Sequence, residues 1–231
     1  MMMKSFLLNT ILLALLLATA SAQDDRKGKK GGMRKGGHGR MMRLKVTNLS
    51  RSQPFSPFFV MVHNYEAKLF EFGMAASSEL ATLAEDGNPM PLADKYKDMR
   101  GVYSATVHNM GAPYAGGATT YIDVTVNRHY PLVTIASMAI NTNDMIVTLN
   151  GERIYPDAVY LEPGLDAGSE MNDEKCENVP GPACTMESGN GHVDGEGYVH
   201  VHPGIHGGGD IPVNPYDWRN PMMKVVVEAL H

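Results

Sequence analysis

After residue 43 the chain divides into short apolar runs of strand length, each closed by Gly, Pro, Asn, Asp or Ser. Residues 44–49 alternate apolar and polar side chains, the pattern of a half-buried strand. Residues 58–63 are almost continuously apolar, as expected of a strand in the core of a sandwich. The same texture returns at 102–108, 119–126, 132–140 and 145–149, and further strands are predicted at 158–161, 198–202 and 223–230. Helix is confined to two short connections. One covers 79–84, with Ser77 or Ser78 as N-cap and Gly87 as stop signal, and the other covers 92–99. About nine short strands separated by turn signals specify an all-β antiparallel sandwich.

The N-terminal residues 1–22 read as a secretory signal peptide. Lys4 supplies a basic start, residues 6–17 an apolar run, and Ala20-Ser21-Ala22 a small-residue cleavage site. Asn9 and Thr10 interrupt that run, which falls short of the roughly 20 apolar residues of a membrane span. No later segment is apolar enough to span a bilayer. The expected product is secreted and extracellular, beginning near Gln23. Cys176 and Cys184 are the only cysteines and lie in a turn-rich loop, so in an oxidising compartment they most simply form one disulfide, the other reading being a free thiol.

Charge separates a tail from a body. Residues 23–43 carry eight Lys or Arg against two Asp, whereas 44–231 carry eleven basic against twenty-three acidic residues. A tail of Lys, Arg and Gly has almost nothing to bury and is expected to be disordered from residue 26 to 43, serving as a solvated spacer or as a contact with an anionic surface or polysaccharide. The acidic body suits cation binding and argues against nucleic acid as its partner. The expected organisation is therefore 1–22 signal peptide, 23–43 tail and 44–231 one sandwich domain. Asn48-Leu49-Ser50 is a glycosylation sequon whose use depends on exposure.

Residues 141–170 carry the clearest chemical signal. Asp144 ends a polar Asn-Thr-Asn-Asp turn before an apolar strand, and Asp166 and Glu170 bracket Asp-Ala-Gly-Ser-Glu. Carboxylates from neighbouring loops can converge on a hard cation such as calcium, which takes oxygen ligands at roughly 2.3–2.6 Å. The bland alternative is that these acids are ordinary loop residues. The segment 137–144, the strand after it and the later Asp-Ala-Gly-Ser-Glu resemble the spondin N-terminal domain family. The similarity extends over 43–231, including Gln-Pro-Phe-Ser-Pro at 53–57 and Asp-Trp-Arg-Asn-Pro at 217–221. Met145, where animal members have an aromatic residue, and Glu170, where Asp is commoner, depart from the family pattern. The resemblance implies a jelly-roll-like sandwich of the kind seen in calcium-dependent membrane-binding domains. It also implies one calcium ion on Asp144, Asp166 and Glu170, and a non-catalytic adhesion or matrix-recognition role toward an extracellular protein or polysaccharide.

A rival site lies in the segment 196–210. His200 and His202 would share a face if the segment is a strand, and a Pro-Gly turn brings His206 after them. Three imidazoles on one surface suit zinc or copper, making the alternative a secreted metalloprotein or metalloenzyme. The other alternative is that these histidines pack or hydrogen-bond within the sandwich. No G-x-S-x-G elbow, P-loop or H-E-x-x-H appears in the chain.

Overall fold

The structure is a computed structural model that describes residues 39–110, 113–184 and 191–230. The expected signal peptide and the expected tail through residue 38 lie outside the described residues.

Ten strands form two sheets, all of whose neighbouring strands are antiparallel. In chain order they are β1 (Arg40–Asn48), β2 (Phe58–His63), β3 (Val102–His108), β4 (Thr119–Val126), β5 (Leu132–Met138), β6 (Met145–Arg153), β7 (Val159–Glu162), β8 (Gly164–Asp166), β9 (His200–Val201) and β10 (Met223–Ala229). The smaller sheet has the order β4-β1-β10-β7 and the larger β3-β2-β5-β6-β8-β9. The fold is an all-β sandwich, as its strand pattern indicates.

Period-two alternation explains why β2 is apolar throughout. Phe58, Val60 and Val62 join Leu44, Val46, Ile122, Val225 and Val227 in the core between the sheets. Phe59 and Met61 face the other way, into a second core under the helices. A strand covered on both faces has no polar side to show. The helices α1 (Ser78–Asp86) and α2 (Met90–Tyr96) supply that cover. In α1, Leu80, Leu83 and Ala84 recur at helical spacing and are fully buried. Ser77 caps this helix by accepting the Leu80 N–H at 3.4 Å, and Gly87 ends it at φ 65°, where its N–H bonds the Leu83 carbonyl.

Several boundaries differ from expectation. Strand β1 begins at Arg40, so residues 40–43 are not part of a disordered tail: Met42 is buried, and Arg43 forms a two-pronged ion pair with Asp123 of β4. Strand β6 runs on to Arg153, whereas β9 is reduced to His200–Val201. Strand β8, absent from the sequence reading, comprises Gly164-Leu165-Asp166 and pairs with β6 so that Met145 faces Asp166. Asp166 therefore ends a strand rather than sitting free in a loop.

Asn48, at the end of β1, is 2% exposed. Its amide donates to the carbonyls of Gln53 and Tyr114 and its oxygen accepts from the N–H and hydroxyl of Ser50. The sequon is thus a structural corner in the folded protein, with its asparagine sealed from an attached sugar.

Candidate metal centre

The polar turn before β6 is buried, with Asn141, Thr142, Asn143 and Asp144 each at 2% exposure or less. Burying four polar side chains is tolerable only if they find partners, and three of them bond to the long loop that follows β8. Asn141 accepts the Ala183 N–H at 2.8 Å and donates to the Ser52 carbonyl. Asn143 donates to Asp173 and accepts the Glu174 N–H. Asp144 Oδ2 accepts the N–H and hydroxyl of Ser169 and the Glu170 N–H, at 2.8, 3.2 and 3.0 Å. The disulfide Cys176–Cys184 closes the same loop and settles the alternatives for these cysteines.

Asp166 is also fully buried. Its Oδ1 accepts the Gly168 N–H at 2.7 Å and its Oδ2 accepts the Asn172 amide. Gly168 has φ 67°, and a β-carbon there would stand 2.3 Å from the Tyr198 carbonyl oxygen. Both the turn and the close approach of the 198 segment demand glycine at this position.

These acids are held in an uncomfortable state. Asp144 Oδ1 and Glu170 Oε1 are buried with no hydrogen-bond partner. Burial, reinforced by the charge of Asp166, pushes the Asp144 carboxyl up to about 7 despite its three donors. Burial also raises Glu170 to about 8, assisted by the charges of Glu85, Asp144 and Asp173. Asp166 is raised by burial too, against the opposing pull of Asn172 and Gly168. No lysine or arginine forms an ion pair with any of the three among the described residues. Buried carboxyls without a counter-charge either hold protons or hold a cation.

Among the described residues, the group of three potential ligands whose donor atoms all lie within 4.8 Å of one another is Asp166, Glu196 and His200. His200 Nδ1 is buried without a hydrogen bond, 3.6 Å from Asp166 Oδ1. Asp144, Asp166 and Glu170 do not form such a group together, although Asp144 is tied to the Ser169–Glu170 backbone and feels the charge of Asp166. Nothing in the sequence singles out Glu196, because its approach to Asp166 depends on the long excursion of the chain between them.

The three histidines lie near one another but do not form a group of close ligand atoms among the described residues. His202 is 4% exposed and packs on Trp218, with ring centroids 5.0 Å apart. Its Nδ1 accepts the Gly204 N–H at 3.0 Å, so the proton of the neutral ring sits on Nε2, which has no partner. That tautomer offers no free lone pair to a metal. Burial, followed by the neighbouring His200 and His206, lowers His202 to about 3 and keeps it uncharged. His206 is exposed, its backbone N–H held by the Glu174 carboxylate.

Residues 47–155 match the Spondin_N family model. That match supports a spondin N-terminal domain within the chain. The matched stretch contains Asp144 and ends before Asp166 and Glu170. No curated protein matches the chain. Family and disulfide together point to an extracellular protein, and no helix among the described residues is long and apolar enough to cross a membrane.

Proposed function

We propose that this spondin-family chain is a secreted calcium-binding adhesion or matrix-recognition module that performs no chemistry. The observation that carries the reading is the pair of buried carboxylate oxygens, Asp144 Oδ1 and Glu170 Oε1, left without partners beside a third buried carboxylate, Asp166. A hard divalent ion satisfies such atoms where a side-chain donor does not, because calcium takes six to eight oxygens in adaptable geometry. In this reading Asp144, Asp166 and Glu170 hold the ion, and the ion ties the turn before β6 to the loop after β8. Its chemistry is structural: it neutralises the buried charge and fixes a loop surface at one end of the sandwich. A partner, whether protein or polysaccharide, is recognised by that surface.

A second reading places zinc or copper on Asp166, Glu196 and His200, and it is favoured by the unpartnered His200 Nδ1 within that group. The two readings differ in metal. Protein purified without chelator or affinity-tag metal is subjected to elemental analysis and then melted with and without calcium. One calcium per chain and a melting temperature that rises with calcium support the first reading. One zinc or copper per chain, lost on His200→Ala, overturns it in favour of the second.

A further inference from the structure

The far end of β6 from Asp144 carries the opposite charge. With nine residues at about 3.3 Å each, β6 places Arg153 on the order of 25 Å from its Met145 end. There Arg153 pairs across from Leu132 of β5, and Arg40 pairs across from Val126 of β4. Together with Arg128, in the turn after β4, they line one cleft of about 300 Å³ whose wall includes Asn127 and Tyr155 and whose floor includes the buried Ile154. That size is at the small end of ligand clefts, roughly 300–1,000 Å³.

No carboxylate lines this cleft, and no ion pair engages Arg40, Arg128 or Arg153 among the described residues. Elsewhere in this acid-rich body Arg43 and Arg100, by contrast, are matched to Asp123 and Glu66. Two of the three cleft arginines have side-chain partners that are not carboxylates. Arg128 Nε donates to His129 Nε2 at 3.0 Å, and Arg153 lies against the phenol oxygens of Tyr65 and Tyr155. These contacts orient guanidinium groups without discharging them, and a planar guanidinium matches sulfate, phosphate or carboxylate oxygens in two-pronged fashion.

We propose that the cleft lined by Arg40, Arg128 and Arg153 is a binding site for a sulfated polysaccharide. A linear polyanion is favoured over a single small anion because, in sequence, the chain reaches Arg40 directly from a run containing Arg26, Lys27, Lys29, Lys30, Arg34 and Lys35. A sugar is favoured over a lipid headgroup because the cleft pairs its cations with Asn127, an apolar floor and the half-exposed ring of Tyr155. That is a combination for hydroxyls and a flat sugar face as well as for charge. The site is independent of calcium and lies apart from the carboxylate cluster.

The test titrates the full chain with a sulfated dextran oligosaccharide, with unsulfated dextran of equal length and with vesicles containing phosphatidylserine. Salt-sensitive binding of the sulfated sugar alone is expected. An Arg128→Ala/Arg153→Ala variant is expected to lose roughly tenfold or more in affinity, in keeping with the strength of charge-assisted contacts. Arg100→Ala, on an arginine paired elsewhere, is expected to bind like the parent. All three arginines are exposed at the surface, and an unchanged melting curve verifies that the double variant is folded. Undiminished binding by the double variant overturns the proposal by placing the polyanion outside the cleft. Binding to the vesicles without binding to sulfated dextran overturns the choice of ligand.

Discussion

Replacing Asp144 by Asn isolates the electrostatics of the carboxylate cluster. The substitution keeps the shape of the side chain, and its oxygen can still accept from Ser169 and the Glu170 N–H. What it removes is a buried charge beside Asp166. Burial and that neighbour raise Asp144 from 3.8 to about 7 in the folded chain. A carboxyl whose folded value exceeds its unfolded value favours folding most at low pH and loses that contribution as pH climbs through the folded value. In chelator, the parent should therefore lose stability between about pH 4 and pH 8. The gap is about three pH units at ~1.4 kcal/mol each, an upper bound of about 4 kcal/mol that sharing of protons with Asp166 reduces. Asp144→Asn should abolish that part of the slope and be more stable than the parent by a few kcal/mol at pH 8. Saturating calcium should reverse the order, because the ion stabilises the carboxylate and has less to hold in the amide. Urea titrations from pH 4 to 8.5, in chelator and in millimolar calcium, measure all four cases. An Asn variant less stable than the parent at pH 8 in chelator would refute the reasoning, because the charge would then be a stabilising one.

Three other outcomes are expected from the same structure. Gly168→Ala should destabilise by about 2 kcal/mol or more in thermal melts, because its φ is 67° and the new methyl meets the Tyr198 carbonyl at 2.3 Å. Leu83→Ala, at a fully buried position between α1 and the larger sheet, should cost about 2–5 kcal/mol without altering metal binding. Chain produced in a glycosylating host should carry no sugar on Asn48 by intact-mass analysis, since all of that side chain's hydrogen bonds are spent inside the fold.

Strand positions were legible where side-chain alternation and turn residues agree. Strands β2, β3 and β4 occupy the residues their patterns indicate, and the α1 caps at Ser77 and Gly87 are the ones the sequence marks. Strand β8 was not legible, because three residues are too few to show a period and its pairing with Met145 is a tertiary event. For the same reason the sequence showed Asp144 as a charged turn residue but not the roles of Asn141 and Asn143, whose partners lie up to 89 residues away. His200 and His202 illustrate the converse. Their spacing suggested a shared face, and Val201 between them is exposed, but their surroundings differ: His202 packs in the core against Trp218 while His200 lies beside Asp166. Spacing along a strand gives the face but not which partners the rest of the fold brings to it.

Calorimetric titration of the metal-free full chain with calcium at pH 7.5 addresses the carboxylate cluster most directly. One saturable calcium site per chain is expected, weakened severely in both Asp144→Asn and Asp166→Ala. Extracellular modules commonly bind calcium at roughly 10⁻⁴–10⁻³ M, so the titration must reach millimolar free ion. No heat of binding at that concentration, together with melting curves indifferent to calcium, would contradict the assignment.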